Sequence, residues 1–231
     1  MILPEQEDFI DIHTHGSSVT DGVFAIENLM AHEGISPEDI VARAFTAGIH
    51  PWHLSESNLT LLLGYLKEIS ADPRIIALGE AGFDRLRGPS MELQRQAFTE
   101  QAKMANRLDM PLIIHCVKAW DELINMHRAL KPSAPWMVHG FRGKKELASQ
   151  LLSRGMYISF WFDFIIRPES SDLVRFIPRE RIFLETDGAD TDIRNIYGKV
   201  ANDLGISIAD LKGIILNNFN ELFIRQKARG H

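Results

Sequence analysis

From about residue 55 onward, short apolar runs alternate with longer segments in which apolar residues recur at helical spacing. The apolar runs predict buried strands at 75–80, 111–115, 136–139, 156–161 and 181–186. The segments between and after them predict helices at 56–71, 90–108, 118–130, 143–154, about 169–176, 190–204 and 207–224. Because strands that alternate with helices of this length form βαβ units, the pattern indicates a parallel sheet.

The first fifty residues follow a different pattern, with strand-like runs at 9–13, 23–30 and 41–49. The intervening segments 16–22 and 31–40 are short and carry glycine and proline, whereas a crossover between parallel strands usually needs about a dozen residues. We therefore predict an α/β fold, a TIM-type (β/α)8-like barrel with a shortened, helix-poor first quarter. Apolar residues of the second strand would then need another cover, either a second subunit or the C-terminal segment 190–224.

Ligand-type side chains fall at or just after the ends of these apolar runs. They are His13, His15, Glu80, His115, His139 and Asp187. The carboxyl ends of barrel strands meet at one face, where barrel enzymes collect their catalytic groups. Since imidazole and carboxylate together suit Zn²⁺, Mn²⁺ and related divalent ions, the sequence predicts one metal centre at that face.

Each of these residues has a simpler explanation when it is taken alone. His13 and His15 could lie in a surface turn, His115 and His139 could be hydrogen-bonded core histidines, and Glu80 could be paired in a salt bridge. Their repeated position at strand ends favours a shared role as ligands instead. Alternate residues of a strand point to one side, so His13 and His15 could chelate one ion.

Bulk properties restrict the classes of protein and partner. The chain has 231 residues, of which 45% are hydrophobic, and we predict a single hydrolase barrel domain over 1–231. No apolar run approaches the roughly 20 residues that span a bilayer, and no secretory signal is recognised at the N-terminus, so no membrane partner is expected. With one cysteine, Cys116, no intrachain disulfide can form, and a cytoplasmic location is expected. The net charge of −6 argues against a long duplex footprint.

At this point the chain resembles the TatD family of metal-dependent hydrolases. The motifs that carry the resemblance are D-I-H-T-H at 11–15, G-I-H-P-W at 48–52, G-E-A-G-F-D at 79–84, H-G-F-R-G at 139–143, E-T-D at 185–187 and N-x-x-E-L-F at 218–223. The resemblance implies a (β/α)8-like barrel that binds two divalent ions, Zn, Mg or Mn. It implies that His13, His15, Glu80 and Asp187 hold the first ion, and that Glu80, His115 and His139 hold the second.

The resemblance also implies a phosphodiesterase that acts on DNA with exonuclease character, so its partner would be a DNA end or single strand. Asp187 and Glu80 would be the catalytic residues, and His50, Lys118 and Arg142 would contact the phosphate. Val117 and Lys118 stand where the family usually has an arginine followed by an acidic residue. After E-T-D the family usually continues with a small residue and proline, whereas this chain has Gly188-Ala189-Asp190. We expect Lys118 to replace the arginine contact, as a point charge rather than a fork.

Two further functions remain open on the sequence. The first is an amidohydrolase-type enzyme that acts on a C–N or ester bond. The second is a metal-binding barrel that has lost turnover. A homodimer is the remaining expectation for assembly, because a second subunit could cover the helix-poor wall.

Overall fold

Eight parallel strands, in the order of the chain, form a nearly closed barrel in the computed structural model, which describes residues 3–16, 20–39 and 42–224. The strands are β1 (Phe9–Thr14), β2 (Val23–Met30), β3 (Ala44–Gly48), β4 (Ile75–Asp84), β5 (Leu112–Val117), β6 (Trp136–Phe141), β7 (Tyr157–Phe160) and β8 (Ile182–Leu184). Each strand pairs in parallel with the next. The predicted TIM-type barrel is confirmed.

Helices cover the barrel from β3 onward. They are α1 (Leu59–Ile69), α2 (Met91–Leu108), α3 (Trp120–Leu130), α4 (Lys145–Leu152), α5 (Phe162–Ile165), α6 (Ser171–Phe176), α7 (Ile193–Leu204) and α8 (Ile208–Phe219), with a π-helical turn at Asn220–Ile224. Between β2 and β3 the described residues form only the short 3-10 turns Ala31–Glu33 and Pro37–Asp39. The helix-poor first quarter is therefore confirmed for the described residues, whereas 17–19, 40 and 41 lie outside them. None of the described helices is long and apolar enough to cross a membrane.

Several strands continue past the residues at which the sequence pattern stops. Glu80 was expected to end its strand, but β4 runs on to Asp84, and β6 runs past His139 to Phe141. The register shifts between Leu78 and Ala81 and between Val138 and Phe141, so the backbone keeps pairing across an irregular step. The prediction of the strand ends was wrong because a bulge has no hydrophobic signature.

A tyrosine closes the seam between β8 and β1. The buried hydroxyl of Tyr197, on α7, accepts a hydrogen bond from the Ile10 backbone N–H at 3.0 Å and donates one to the Ile10 carbonyl at 3.2 Å. Beyond it, the Asp187 N–H donates to the His13 carbonyl at 3.0 Å. The hydroxyl thus satisfies the two backbone groups of Ile10, which in a sheet would pair with a neighbouring strand.

We expect Tyr197→Phe to lower the free energy of unfolding by about 1–3 kcal/mol, because it leaves two buried backbone groups without a partner. For a chain of this size, that corresponds to about 2–4 °C in Tm for each kcal/mol. Urea and thermal unfolding measure it. Tyr157→Phe, which removes the same atom from β7 away from the seam, is the matched control. Equal shifts in the two variants would show that the hydroxyl does not hold the seam.

Most apolar residues of β2 are covered from within the chain. The ring of Phe24 is fully buried and packs edge-on against Phe219 of α8, with 5.8 Å between centroids. Ile26 lies on the same face of the strand as Phe24 and is also buried. On the opposite face Leu29 is buried, whereas Val23 and Ala25 remain half-buried. Phe219 of α8 therefore covers Phe24, while Val23 and Ala25 mark the part of the strand that is left partly open.

Candidate metal centre

The first strand and the residue that follows it supply two imidazoles, His13 and His15, to the carboxyl end of the barrel. His13 Nε2 lies 3.4 Å from Glu80 Oε2 and 3.6 Å from Asp187 Oδ1. His15 Nε2 lies 3.5 Å from the same Asp187 oxygen. Below them, the buried Asp11 accepts hydrogen bonds from the Thr186 N–H at 3.0 Å and from its hydroxyl at 2.6 Å. This pair ties β1 to the segment that carries Asp187.

Glu80 lies at the centre of the site. Its backbone N–H donates to Asn28 Oδ1 at 3.0 Å, and the same oxygen accepts the Thr46 hydroxyl at 2.9 Å. The neighbouring backbones of β3 and β4 approach so closely that a Cβ on Gly48 would lie 2.5 Å from the Gly79 carbonyl carbon. Only glycine at position 48 allows this close approach of β3 to the backbone just before Glu80.

Two histidines from adjacent strands approach the same Glu80 oxygen. Oε1 lies 2.7 Å from His115 Nδ1 and 2.6 Å from His139 Nε2. Each imidazole has a carboxylate behind its other nitrogen. Asp84 Oδ2 lies 3.4 Å from His115 Nε2, and Glu185 Oε1 lies 3.5 Å from His139 Nδ1. Carboxylates in this position fix the tautomer and orientation of a ligating histidine.

Asp187 follows the last strand in a left-handed conformation, with φ of 53°. Its side chain is mostly buried and faces His13 and His15. The six predicted ligands thus converge, although they come from five segments of the barrel. His50 joins them, with Nε2 3.2 Å from Glu80 Oε1, while its Nδ1 accepts the Trp52 N–H at 3.2 Å.

The electrostatics follow from the crowding of imidazoles around one carboxylate. Burial by itself would raise the pKa of Glu80, but His139, His115 and His13 outweigh it and hold that pKa well below its usual value. Burial would lower the pKa of His139, but Glu80 and Glu185 raise it well above the ordinary value. The carboxylate is therefore ionised, as a ligand must be.

The donor atoms fit a metal. The imidazole of His13 is fully buried, and among the residues that the structure describes neither of its nitrogens has a hydrogen-bond partner. Buried polar atoms without partners are costly unless an ion satisfies them. Groups of three potential ligands lie with their donor atoms within 4.8 Å of one another, namely His13–His15–Asp187, His13–Glu80–His139, His50–Glu80–His115 and His139–Glu185–Asp187.

A cleft of about 630 Å³ opens over these groups. The predicted phosphate contacts His50, Lys118 and Arg142 all line it, together with Trp52, Trp120 and Trp161. Cys116 also reaches the cleft wall, but burial raises the pKa of its thiol well above the usual range, so it remains a packing residue.

Sequence reasoning gave no role to Glu185, and it did not place Gln94 and Gln101 at the site. The amide of Gln101 pairs with both the N–H and the carbonyl of Ile49, at 2.7 and 3.1 Å, and so fixes the residue before His50. The amide of Gln94 pairs likewise with the N–H and carbonyl of Asp84, at 2.8 and 2.9 Å. A buried glutamine on a helix facing a strand end is the signal that could have found them.

A parallel barrel whose strands bring clustered histidines and carboxylates to the base of an open cleft defines the class of barrel hydrolases with a candidate metal centre. The model of the family described as TatD related DNase matches residues 36–224. The chain belongs to this family.

Curated relatives and solved structures agree with the assignment. The chain is 36% identical to the 3'-5' ssDNA/RNA exonuclease TatD of Erwinia billingiae over 62% of this chain and 56% of that protein. For the protein of that name from Rahnella, the identity is 32% over 68% and 61%. The chain thus spans a little over half the length of the curated relatives it matches.

Two crystal structures share the fold. A hydrolase TatD family protein from Entamoeba histolytica has a TM-score of 0.77 and 19% identity, over 94% of this chain and 98% of that chain. YJJV, a TatD homolog from Escherichia coli, has a TM-score of 0.76 and 21% identity, over 95% and 99%. At this identity the likeness establishes the fold alone, and it covers nearly all of this chain.

Proposed function

We propose that the chain is a divalent-metal-dependent phosphodiesterase that removes nucleotides from an end of single-stranded nucleic acid. The observation that carries this proposal is the convergence of five imidazoles on the single carboxylate of Glu80 at the base of a cleft that Lys118 and Arg142 line. The names of the curated relatives, 3'-5' ssDNA/RNA exonucleases, support it. So does the net charge of −6, which disfavours a long duplex partner.

We assign two ions to the donor groups. His13, His15, Glu80 and Asp187 would hold one, and Glu80, His115 and His139 would hold the other. Their mixed nitrogen and oxygen donors suit Zn²⁺ or Mn²⁺, and Mg²⁺ could serve during turnover. When bound, such ions polarise a phosphoryl group and lower the pKa of water, so that it attacks at neutral pH.

The side chains of this protein then have separate tasks. The Asp187 carboxylate would orient the attacking water and accept a proton from it. Glu80 would belong to both sets of ligands and so would fix their positions relative to each other. Asp84 and Glu185 would orient His115 and His139 from behind. His50, Lys118 and Arg142 would bind phosphate oxygens, which places the scissile phosphate between the cluster and the cleft mouth. A cytoplasmic location is part of the same proposal.

Hydrolysis of 3′- or 5′-labelled single-stranded DNA with a panel of divalent ions tests the function. We expect stepwise shortening from one end, complete loss of activity on chelation, and slower turnover of blunt duplex. Panels of amides, lactones and other esters run in parallel. Turnover of these compounds alone would assign an amidohydrolase-type reaction, and bound metal without turnover on any panel would assign a binding barrel.

Lys118→Ala is expected to raise KM for a phosphodiester, with a smaller effect on kcat. Lys118 lines the cleft where the family's arginine is missing, and a charged hydrogen bond is worth about 1.5–3 kcal/mol, or roughly 10- to 150-fold in KM. Lys131→Ala is the matched control, since Lys131 is also exposed and also has positive φ, 45° against 54°. Unchanged kinetics in Lys118→Ala would place this side chain outside the phosphate site.

Association into a homodimer was expected only as one of two ways to cover β2. Because Phe24, Ile26 and Leu29 are buried within one chain, we expect light scattering at high micromolar concentration to give the mass of a monomer. A dimeric mass would point instead to the half-buried Val23 and Ala25 as part of an interface.

A further inference from the structure

The cleft has two chemically different halves. Its floor carries the candidate metal ligands, whereas much of its wall is aromatic. Of the four tryptophans in the chain, Trp52, Trp120 and Trp161 line this cleft and are half-exposed, and only Trp136 is buried in the barrel wall. Indole rings bury more apolar area than most side chains, so three of them around one opening indicate a flat aromatic ligand.

Trp161 lies directly beside the metal-ligand cluster. It follows β7, and its N–H donates to the Phe141 carbonyl at 3.2 Å. Its ring rests against Gly140, the residue after His139, where a Cβ would lie 3.3 Å from the indole. The guanidinium of Arg142 stacks over the ring at 4.5 Å from the centroid. The indole of Trp161, with the guanidinium of Arg142 on it, thus lies next to the proposed metal ligand His139.

Trp120 stands on the other side of the same strand. It is the first residue of α3, two residues after Lys118, and it follows β5. Its ring packs edge-to-face against Phe141, with 5.8 Å between the centroids. Because β6 pairs with β5 on one side and β7 on the other, the two indoles flank the strand that carries His139.

Trp52 has a different role in the wall. Its indole N–H donates to Asp84 Oδ2 at 2.7 Å, and Arg87 covers one ring face at 3.9 Å. Replacing it would disturb the carboxylate behind His115. Trp120 and Trp161 contact neither Asp84 nor Glu185 by a hydrogen bond among the described residues, so they can be altered with less effect on the cluster.

We propose that Trp120 and Trp161, with Lys118 and Arg142 beside them, form a binding site for the nucleobase of a single-stranded chain end whose phosphate lies over the Glu80 cluster. This inference rests on the proposed function and names the part of the substrate that the apolar wall recognises. Every base has a π face, so stacking tolerates all sequences, and the flanking cations attract the backbone. A cleft of about 630 Å³ is of a size that encloses one small ligand, which suits a terminal nucleotide rather than a duplex.

The test combines a change in the protein with a change in the substrate. Trp120→Ala and Trp161→Ala are compared with the natural chain on short single-stranded DNA, metal-loaded in each case. The terminal nucleotide at the end that is cleaved either carries its base or is abasic. With the base present, we expect each variant to raise KM by about 5- to 150-fold, as for the loss of one stacked base. With the abasic strand, the same substitutions are expected to change KM little, because the contact has already been removed.

Two controls separate recognition from damage. Trp120→Phe and Trp161→Phe keep an aromatic face and should recover most of the lost affinity for the normal strand only. Phe176→Ala removes an exposed aromatic ring on α6, which lies outside the cleft lining, and should behave as the natural chain. Metal content should be unchanged in all variants. If each tryptophan substitution raised KM by the same factor on the normal and the abasic strand, the proposed base site would be wrong.

Failure of the base site and failure of the nuclease function give different results. If the natural chain hydrolyses no oligonucleotide, strand binding is measured by fluorescence anisotropy with the same normal and abasic strands. Tight binding that depends on the base and on both indoles would keep the base site and remove the nuclease assignment. If the chain hydrolyses the strands but the tryptophan substitutions raise KM equally on normal and abasic strands, the nuclease function stands and the base site does not. If the chain neither binds nor hydrolyses the strands, both the base site and the nuclease function are wrong.

Discussion

Replacing Glu80 by alanine is expected to abolish turnover and to reduce bound metal more than any other single substitution at the site. Among the described residues, Glu80 is the one carboxylate whose oxygens face His13 and His15 on one side and His115 and His139 on the other. Loss of outer partners alone costs about 10- to 100-fold in metal affinity or activity, so loss of this central group should cost at least about 100-fold. Metal analysis and kcat measure the two effects.

The fold must be separated from the chemistry in that experiment. Removing a buried carboxylate from among several imidazoles leaves charge unbalanced, which costs about 3–5 kcal/mol for a broken buried pair. Glu80→Gln keeps the shape and serves as the second variant, with Tm as the check on folding. His50→Ala is the comparison for metal content, and it is a stringent one because His50 Nε2 lies 3.2 Å from Glu80 Oε1. Equal metal loss in Glu80→Ala and His50→Ala would remove the bridging role from Glu80.

Asp187→Asn is expected to lower kcat by about 100- to 10,000-fold, the range for loss of a positioned proton acceptor. Burial would raise the pKa of Asp187, but His15 and His139 lower it, so the carboxylate is ionised and can accept a proton near neutral pH. Asparagine tolerates the left-handed conformation that the backbone has here, and its N–H can keep the bond to the His13 carbonyl. The substitution therefore removes charge with little change of shape.

The split between kcat and metal content decides how Asp187 acts. We expect Asp187→Asn to retain part of its metal through His13, His15 and Glu80, while kcat falls at all metal concentrations. Restoration of kcat by excess metal would make Asp187 a ligand only. Asp190→Asn, an exposed carboxylate three residues further along the same loop, is the matched control and should leave kcat unchanged. A kcat within threefold of the natural chain would exclude Asp187 as the proton acceptor.

Local pattern was sufficient to predict the barrel and to pick out the side chains of the candidate metal centre. Alternating apolar runs and helical segments predict β4 through β8 because each run must be buried on both faces of a parallel sheet. The ligands followed from the same pattern, since a charged or imidazole residue at the end of a buried run needs a partner. The helix-poor first quarter followed from segment length alone. These properties belong to the local chain, and the structure confirms the barrel and, for the described residues, the short first quarter.

Other properties required the folded chain. Asp84 and Glu185 stand behind His115 and His139 only because neighbouring strands bring them there. The continuation of β4 to Asp84 depends on a register shift, and closure of the seam depends on one hydroxyl of Tyr197 that is 187 residues from Ile10. Such contacts join residues that share no local pattern.

The sequence by itself determined the fold class, the six side chains of the candidate metal centre and the short first quarter, because burial and chain length constrain each of them locally. The tertiary structure alone decided that His50 lies against Glu80, that Asp84 and Glu185 stand behind two histidines, and that Trp120 and Trp161 flank His139. The physical reason is that distances between side chains on different strands depend on register, bulges and barrel closure, which hydrophobic periodicity does not encode.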